Sequence, residues 1–359
     1  MKYRIFATCD IGAEALGRVR ERGWDLEVYG EVEPPPKSFI LDRIRSGIDG
    51  IITTLRDPID DEVMEAGRGT LKVIAQNAVG FDNIDREAAN RHRIPFTHTA
   101  EVLTHATAEF AFFILGCVAR KLYPSERLVR EDRWSHWHPS LPMLGDEVTG
   151  KTVAVIGTGR IGKAFALKCT GFDMDVLCCD EIRDEEFVSG VREVMELKTR
   201  LGLTRRPATI RYAPFEEALE TADFISLHVP LSEETHHLVN EQSLRRMKST
   251  AYLINTSRGP VIDERALYRA LKEGWIAGAA LDVFETEPLA ADSPLRDPEL
   301  TDRLRLFHHF ASGTRETRLS PDPNVGMAGR CVQGLIDVLE GNYDGDPRRM
   351  PYVVNKEAF

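Results

Sequence analysis

A glycine-rich fingerprint lies in the middle of this chain, where residues 153–163 read VAVIGTGRIGK. Gly157, Gly159 and Gly162 form the pattern G-x-G-x-x-G directly after an apolar run, which is typical of the tight turn between a strand and a helix in dinucleotide-binding domains. Such a fingerprint normally opens the domain to which it belongs. Because residues 1–152 come before it, we expect the chain to contain a second structural unit.

Three glycines alone also occur in ordinary turns, so a turn without a ligand is the alternative interpretation. The context favours a ligand, because a strand is predicted before the turn and a helix that begins at Arg160 is predicted after it, so that backbone N–H groups would face a pyrophosphate. Asp180 ends the next strand, 23 residues after Gly157. Its carboxylate could accept hydrogen bonds from ribose hydroxyls and would repel a 2′-phosphate. The sequence therefore predicts NAD, and NADP is the less favoured alternative, which the nearby Arg183 leaves open. For Asp180 itself, a simple turn without a ligand is the alternative.

The pattern of short apolar runs predicts two parallel α/β units. Residues 1–103 alternate such runs with helical patterns, and the inserted region continues with TVAVIG, DVLCCD, ATIRY, DFISLHV, AYLINTS, IAGAALDVF and RLRLF. A lone amphipathic helix over 325–339 must pack on an existing core, and we expect it to return to the first unit. We therefore expect two doubly wound parallel-sheet domains: a discontinuous, flavodoxin-like substrate domain of residues 1–103 plus 312–359, and an inserted Rossmann NAD-binding domain of residues 104–311.

Two further segments connect these units. From Thr104 to Leu122 apolar residues recur at intervals of three and four, which predicts one long amphipathic helix. Residues 123–150 are irregular and place Trp134 and Trp137 in a polar setting, so we expect a dimerisation arm near 123–150 that packs on a second subunit. A loop held by its own tryptophans is the alternative. The long connection over 181–207 is expected to hold an additional helix.

Composition excludes several classes of partner. The net charge is -11 and no basic stripe is present, which argues against a nucleic acid. The N-terminus has no apolar core that would make a signal peptide, and no apolar run is long enough to span a membrane, so we expect a cytoplasmic protein. The six cysteines have no C-x-x-C spacing, and the paired histidines lack acidic partners at ligand spacing. No metal site is predicted.

Reactive side chains follow three successive predicted strands of the inserted domain. Arg258 follows AYLINTS, Glu287 follows IAGAALDVF and His309 follows RLRLF. Ligands of doubly wound sheets bind outside the carboxyl ends of the strands, so we expect these residues to meet at one edge. Taken singly, each has an ordinary structural role: Arg258 in a cap or ion pair, Glu287 in a solvated turn and His309 in a core. Their shared placement favours a site.

The chemistry of the three residues is complementary. A guanidinium can bind a carboxylate and polarise a neighbouring carbonyl, and an imidazole held by a carboxylate can donate or accept a proton. Glu287 would stabilise the protonated form of His309 and keep that proton available for a reduction. Together with the dinucleotide fingerprint, the three residues predict a hydride-transfer site.

Four motifs, INTSRGPVIDERAL, GAALDVFETEP, ADFISLHVPL and GTGRIG, resemble those of the D-isomer-specific 2-hydroxyacid dehydrogenases, and the resemblance covers nearly the whole chain. Within that family the sequence resembles most the glyoxylate and hydroxypyruvate reductases. The resemblance implies an NAD-dependent oxidoreductase that reduces a small 2-oxoacid to a D-2-hydroxy acid, and it implies a homodimer. An NADH-sensing co-repressor that binds protein partners, and a dehydrogenase of another small substrate such as phosphite, are the alternatives.

The resemblance also implies roles for individual residues. Arg258 would bind the substrate carboxylate, His309 would be the acid/base and Glu287 would orient it. The backbone around Val79 and Gly80 would hold the substrate carboxylate across the interdomain cleft. Residues implied at the cofactor are Gly157, Gly159, Arg160, Ile161, Gly162, Asp180, Val229, Pro230, Thr256, Ser257 and, at the nicotinamide carboxamide, Asp282.

One departure from the family pattern concerns the histidine. The family usually has Pro-His before a small residue, whereas this chain reads FHHFASGT, with His308 in the position of the proline. His309 is favoured as the acid/base because H-x-A-S-x-T matches the family frame from His309 to Thr314. His308 remains the alternative.

Overall fold

The computed structural model describes residues 2–137, 139, 143–204 and 206–359 of the chain. These residues form two compact units, one of residues 1–103 with 313–359 and the other of residues 104–312. No helix formed by the described residues is both long enough and apolar enough to cross a membrane.

The first unit is built on a parallel sheet of five strands in the order β2-β1-β3-β4-β5. The strand order is that of the flavodoxin-like fold, as expected. Its strands are β1 (Arg4–Ala7), β2 (Asp25–Val28), β3 (Gly50–Thr53), β4 (Val73–Gln76) and β5 (Phe96–Thr97), and the helices between them are α1 (Ala13–Arg20), α2 (Lys37–Arg45), α3 (Asp61–Ala66) and α4 (Arg86–His92). The sequence pattern did not reveal β2, because this edge strand buries no residue fully.

The second unit begins with α5 (Thr104–Ala119) and α6 (Leu122–Arg130) and contains a parallel sheet of seven strands. In chain order its elements are β6 (Thr152–Ile156), α7 (Arg160–Thr170), β7 (Asp175–Cys179), α8 (Glu185–Arg200), β8 (Ile210–Tyr212), α9 (Phe215–Thr221), β9 (Phe224–Leu227), α10 (Glu241–Arg246), β10 (Tyr252–Asn255), α11 (Glu264–Glu273), β11 (Gly278–Leu281) and β12 (Leu304–Leu306). The strand order β12-β11-β10-β9-β6-β7-β8 confirms the doubly wound prediction.

The chain ends in the first unit, with α12 (Arg315–Leu319) and α13 (Met327–Glu340). Helix α13 buries Ala328, Cys331 and Leu335 in the same apolar cluster as Ile5 of β1. Gly341 ends this helix in the left-handed conformation, with a φ of 68°. The helix therefore completes the core that the N-terminal residues begin.

The single helix predicted over 104–122 is wrong at its C-terminal end. Helix α5 stops at Ala119, Lys121 takes a left-handed φ of 49°, and α6 starts at Leu122. Apolar periodicity continues through the break, so the pattern alone could not show it. The additional helix expected in 181–207 is present as α8, which buries Val188, Val191 and Met195.

Candidate active site

The glycine fingerprint forms the turn between β6 and α7, and its three glycines meet different surroundings. Gly157 has a φ of +92°, and a Cβ added there would lie 2.7 Å from the His228 carbonyl oxygen. A Cβ on Gly162 would lie 1.9 Å from the carbonyl oxygen of Gly157. A Cβ on Gly159 would meet nothing within 4 Å. The first and third glycines are therefore needed by the protein itself, whereas the second leaves its surface open to a ligand.

Asp180 lies where the sequence places it, directly after β7. One carboxylate oxygen accepts hydrogen bonds from the Thr158 N–H (2.6 Å) and hydroxyl (3.1 Å), and the other accepts from the Ile182 N–H (3.0 Å). These bonds hold the carboxylate against the glycine turn. Thr158 occupies an unrestricted position of the fingerprint, so no sequence signal could have identified it as the partner of Asp180. Arg183, whose position left NADP as an alternative, has its guanidinium carbon 5.5 Å from the centroid of the Tyr212 ring.

The expected cofactor and catalytic residues follow adjacent strands of the second sheet. Val229 and Pro230 come after β9, which pairs with β6, and Thr256, Ser257 and Arg258 come after its other neighbour, β10. The Thr256 hydroxyl is buried and has no hydrogen-bond partner among the described residues. A buried hydroxyl of this kind is expected to find a partner in a bound ligand. This observation fits a dinucleotide lying across the ends of β6, β9 and β10.

His309 and Glu287 form a direct pair. Strand β11 leads to Glu287 and its neighbour β12 leads to His309, and the His309 Nδ1 lies 2.7 Å from the Glu287 Oε2. The two side chains are about one-third exposed, at 33% and 36%. Glu287 thus holds the imidazole through Nδ1, one of its two ring nitrogens.

The pKa of Glu287 lies below its ordinary value. Burial alone would raise it, but the hydrogen bond and charge of His309, the Phe284 N–H at 3.1 Å and the charge of Arg258 together outweigh burial. Glu287 is therefore an ionised partner of His309 at neutral pH. The same balance shows that Arg258 and His309 both act electrostatically on Glu287.

Asp282 holds the backbone that carries His309. Its carboxylate accepts hydrogen bonds from the N–H groups of Phe310 (2.7 Å) and Ala311 (2.8 Å), and its carbonyl accepts from the N–H of His309 (2.8 Å). His309 itself has a positive φ of 56°, which is uncommon for a residue other than glycine. Asp282 therefore maintains this backbone conformation, a role that sequence reasoning missed. The contact with a nicotinamide carboxamide remains a prediction.

His308 is placed differently from His309. Its ring stacks on Phe310 with ring centroids 5.0 Å apart and an angle of 22° between the planes, and Phe310 in turn packs edge-on against Phe110 at 6.3 Å. Glu287 pairs with His309 instead. The geometry thus supports His309 as the acid/base and gives His308 a packing contact in the position of the usual proline.

Val79 and Gly80 lie in the first unit, in the loop that follows β4. Among the described residues neither backbone N–H finds a hydrogen-bond acceptor. Two adjacent, unpaired N–H groups are suited to an anion such as a carboxylate.

Comparisons with known proteins point to one family. Residues 112–309 match the family model described as D-isomer specific 2-hydroxyacid dehydrogenase, NAD binding domain. The glyoxylate reductase of Korarchaeum cryptofilum is 46% identical over 359 residues, which cover 100% of this chain and 97% of that protein. The glyoxylate reductase of Thermofilum pendens is 42% identical over 360 residues, covering 99% and 95%.

Solved structures show the same fold. A Thermus thermophilus protein superposes with a TM-score of 0.82 at 37% identity and covers 98% of this chain and 99% of its own. The D-lactate dehydrogenase of Aquifex aeolicus, solved in complex with NAD and lactic acid, has a TM-score of 0.77 at 28% identity, with 98% and 99% covered.

Proposed function

This chain belongs to the D-isomer-specific 2-hydroxyacid dehydrogenase family, and we propose that its reaction is the NADH-dependent reduction of glyoxylate or hydroxypyruvate to the corresponding 2-hydroxy acid, of D configuration where the product is chiral. Several relatives that match over nearly the whole chain are glyoxylate reductases, which supports a small 2-oxoacid as substrate. A cytoplasmic location stays a prediction of the sequence.

The single observation that carries this proposal is the pair of His309 and Glu287 beside Arg258 at the ends of three adjacent strands. Because Glu287 engages Nδ1 of His309, the proton would be delivered from Nε2 to the substrate carbonyl oxygen. The Arg258 guanidinium would bind the substrate carboxylate and polarise the carbonyl. Glu287 would stabilise the charge that His309 carries before it donates.

The residues around the glycine turn fit NAD. Gly159 leaves room for a close approach, and the first turn of α7 has N–H groups that find no acceptor carbonyl within the helix. The Thr256 hydroxyl has no partner in the described part of the chain. We assign the pyrophosphate to Gly157–Gly162, the ribose to Asp180, and the remaining contacts to Val229, Pro230, Thr256, Ser257 and Asp282. When bound, NADH would supply the hydride to C2 of the substrate.

In the first unit, we propose the backbone N–H groups of Val79 and Gly80 as donors to the substrate carboxylate. The resemblance to the family implies this role, and the absence of any acceptor for either group among the described residues supports it.

A homodimer is part of the proposal. Trp134 and Trp137 are 56% and 75% exposed, and Phe113 and Val129 are 62% and 61% exposed nearby in the chain. Large exposed apolar side chains of this kind mark a surface that another chain covers. They support an arm near 123–150 that packs on a second copy, although residues 138 and 140–142 of that arm lie outside the described part of the chain.

Turnover of NADH with glyoxylate, hydroxypyruvate and phenylpyruvate tests the function, and phosphite with NAD tests the other small substrate. His309→Ala should lower kcat by about 10²-fold to 10⁴-fold, the usual contribution of a general acid, whereas the neighbouring His308→Ala serves as the matched control and should lose far less. Arg258→Gln should raise the KM for the oxoacid. Binding of NADH without turnover of any 2-oxoacid would instead support a sensor.

A further inference from the structure

The loop after β4 contains three consecutive backbone N–H groups, those of Val79, Gly80 and Phe81, that donate no hydrogen bond to a described residue. Each peptide unit is planar, so the N–H of one residue points opposite to the carbonyl of the residue before it. The partner of each carbonyl therefore sets the direction of the next N–H group.

All three preceding carbonyls are held by donors. The donors are the Thr99 N–H for the Ala78 carbonyl (2.9 Å), the His98 Nδ1 for the Val79 carbonyl (3.1 Å) and the Gln76 Nε2 for the Gly80 carbonyl (3.2 Å). Because a carbonyl oxygen only accepts, His98 must donate from a protonated Nδ1. The N–H groups of Val79, Gly80 and Phe81 consequently point away from these donors.

Gln76 is itself fixed in one orientation. Its side chain is buried, its Oε1 accepts from the Thr53 hydroxyl (2.7 Å), and its Nε2 also donates to the Asn83 Oδ1 (2.7 Å). Asn83 in turn donates to the carbonyls of Thr54 (2.9 Å) and Asp57 (2.7 Å). A buried amide is stable only when its polar atoms are paired, so this network resists rotation of the Gln76 amide.

His98 is anchored by the backbone on either side of it. It follows β5, its N–H donates to the Tyr352 carbonyl (3.2 Å), and the preceding Thr97 pairs with Val353 in an antiparallel bridge. Its ring packs edge-on against Phe81, with centroids 6.2 Å apart. The imidazole thus reaches the Val79 carbonyl from a fixed support.

We propose that Gln76 and His98 are positioning residues for the substrate carboxylate, with His98 aiming the N–H of Gly80 and Gln76 aiming that of Phe81. This adds the Phe81 N–H as a third donor beside the two expected ones, and it rests on the proposed function. Neither side chain touches the substrate in this arrangement. Their loss should weaken binding of the carboxylate and leave proton and hydride transfer largely intact.

His98→Phe tests the proposal, because it keeps an aromatic ring against Phe81 and removes the donor to the Val79 carbonyl. The KM for glyoxylate, or for hydroxypyruvate if that is the better substrate, should rise about fivefold to tenfold, the effect of one lost hydrogen bond. The kcat, the KM for NADH and the Tm should stay near those of the wild-type chain. His98→Asn, which restores an N–H donor, should recover part of the loss.

His92→Phe is the matched control, since His92 belongs to the same unit but pairs with Asp61 (3.0 Å) and not with this loop. Gln76→Leu is the second variant and should show the same selective rise in the oxoacid KM if His98→Phe does not fold. Equal oxoacid KM values for the wild-type chain and the folded variants would overturn the positioning role while leaving the proposed function standing. A variant effect that appears equally in Tm and in the KM for NADH would also overturn it. If the wild-type chain reduces neither oxoacid, both proposals fail.

Discussion

Alanine at the second and third glycines of the fingerprint should separate a ligand contact from a packing contact. Gly159→Ala places a methyl group where the protein has nothing within 4 Å, whereas Gly162→Ala places one 1.9 Å from the Gly157 carbonyl oxygen and 3.3 Å from Val155 Cγ1. The two substitutions are chemically identical and three residues apart. Only their surroundings differ.

The distances set the expected magnitudes. Carbon–oxygen contacts lie at about 3.3–3.6 Å, so Gly162→Ala forces α7 or the turn to move by about 1 Å or more. Overpacking of this kind costs about 1–3 kcal/mol, and about 2–4 °C in Tm is lost for each kcal/mol in a unit of this size. Gly159 has φ −66° and ψ −168°, which alanine can adopt. The Tm of Gly159→Ala should therefore stay within about 2 °C of that of the wild-type chain.

Thermal unfolding and titration with NADH measure the two effects. We expect Gly162→Ala to lose about 2–12 °C in Tm, and Gly159→Ala to keep its Tm but to bind NADH at least about tenfold more weakly, a change of about 1.4 kcal/mol. Wild-type affinity for NADH in Gly159→Ala would refute the placement of the pyrophosphate at this turn. A wild-type Tm in Gly162→Ala would refute the packing argument.

Three further changes test other parts of the site. Asp180→Ala should raise the ratio of kcat/KM for NADPH to kcat/KM for NADH. Substitution of its exposed neighbour, Glu181→Ala, should leave this ratio unchanged. An unchanged ratio in Asp180→Ala would mean that another residue contacts the ribose and sets the cofactor preference. The pKa of Glu287 is lowered from its ordinary value of 4.5, so its ionised form stabilises the folded chain above that pH, and this contribution is lost as the pH falls through the folded-state pKa. The Tm of Glu287→Gln should accordingly approach that of the wild type below about pH 4, and a difference that persists there would contradict this account. The double variant Trp134→Ala, Trp137→Ala should shift sedimentation toward a monomer, which Trp275→Ala should not do.

Much of the site could be predicted because parallel sheets place their loops by a simple rule. Once the apolar runs before Arg258, Glu287 and His309 are taken as successive parallel strands, their carboxyl ends must share an edge. In the structure the strands that precede Glu287 and His309 are neighbours, and the two side chains lie 2.7 Å apart. Strand pattern and strand order were therefore sufficient to predict which connections share an edge.

Other features depend on contacts that leave no periodic signal. The edge strand β2 buries no residue fully, the helix break at Lys121 lies inside a continuous apolar pattern, and the support of the Val79 loop comes from Gln76 and His98, which belong to two different strand ends. Single side-chain hydrogen bonds to backbone carbonyls decide such features. Sequence alone does not show which carbonyl will be near which donor.

The two carboxylates on the connection after β11 illustrate why environment, and not residue type, assigns a role. Burial raises the pKa of Asp282 despite the N–H groups of Phe310 and Ala311, whereas the pKa of Glu287 is lowered because His309, the Phe284 N–H and Arg258 outweigh burial. Of the two carboxylates, Glu287 bonds the His309 ring directly and is also acted on by the charge of Arg258, so we expect its negative charge to stabilise a protonated His309. Asp282 instead uses its oxygens on the backbone that gives His309 its positive φ. We therefore expect Asp282 to fix the position of the imidazole through the backbone and Glu287 to stabilise the positive charge of the imidazole, so that loss of either carboxylate should impair the site.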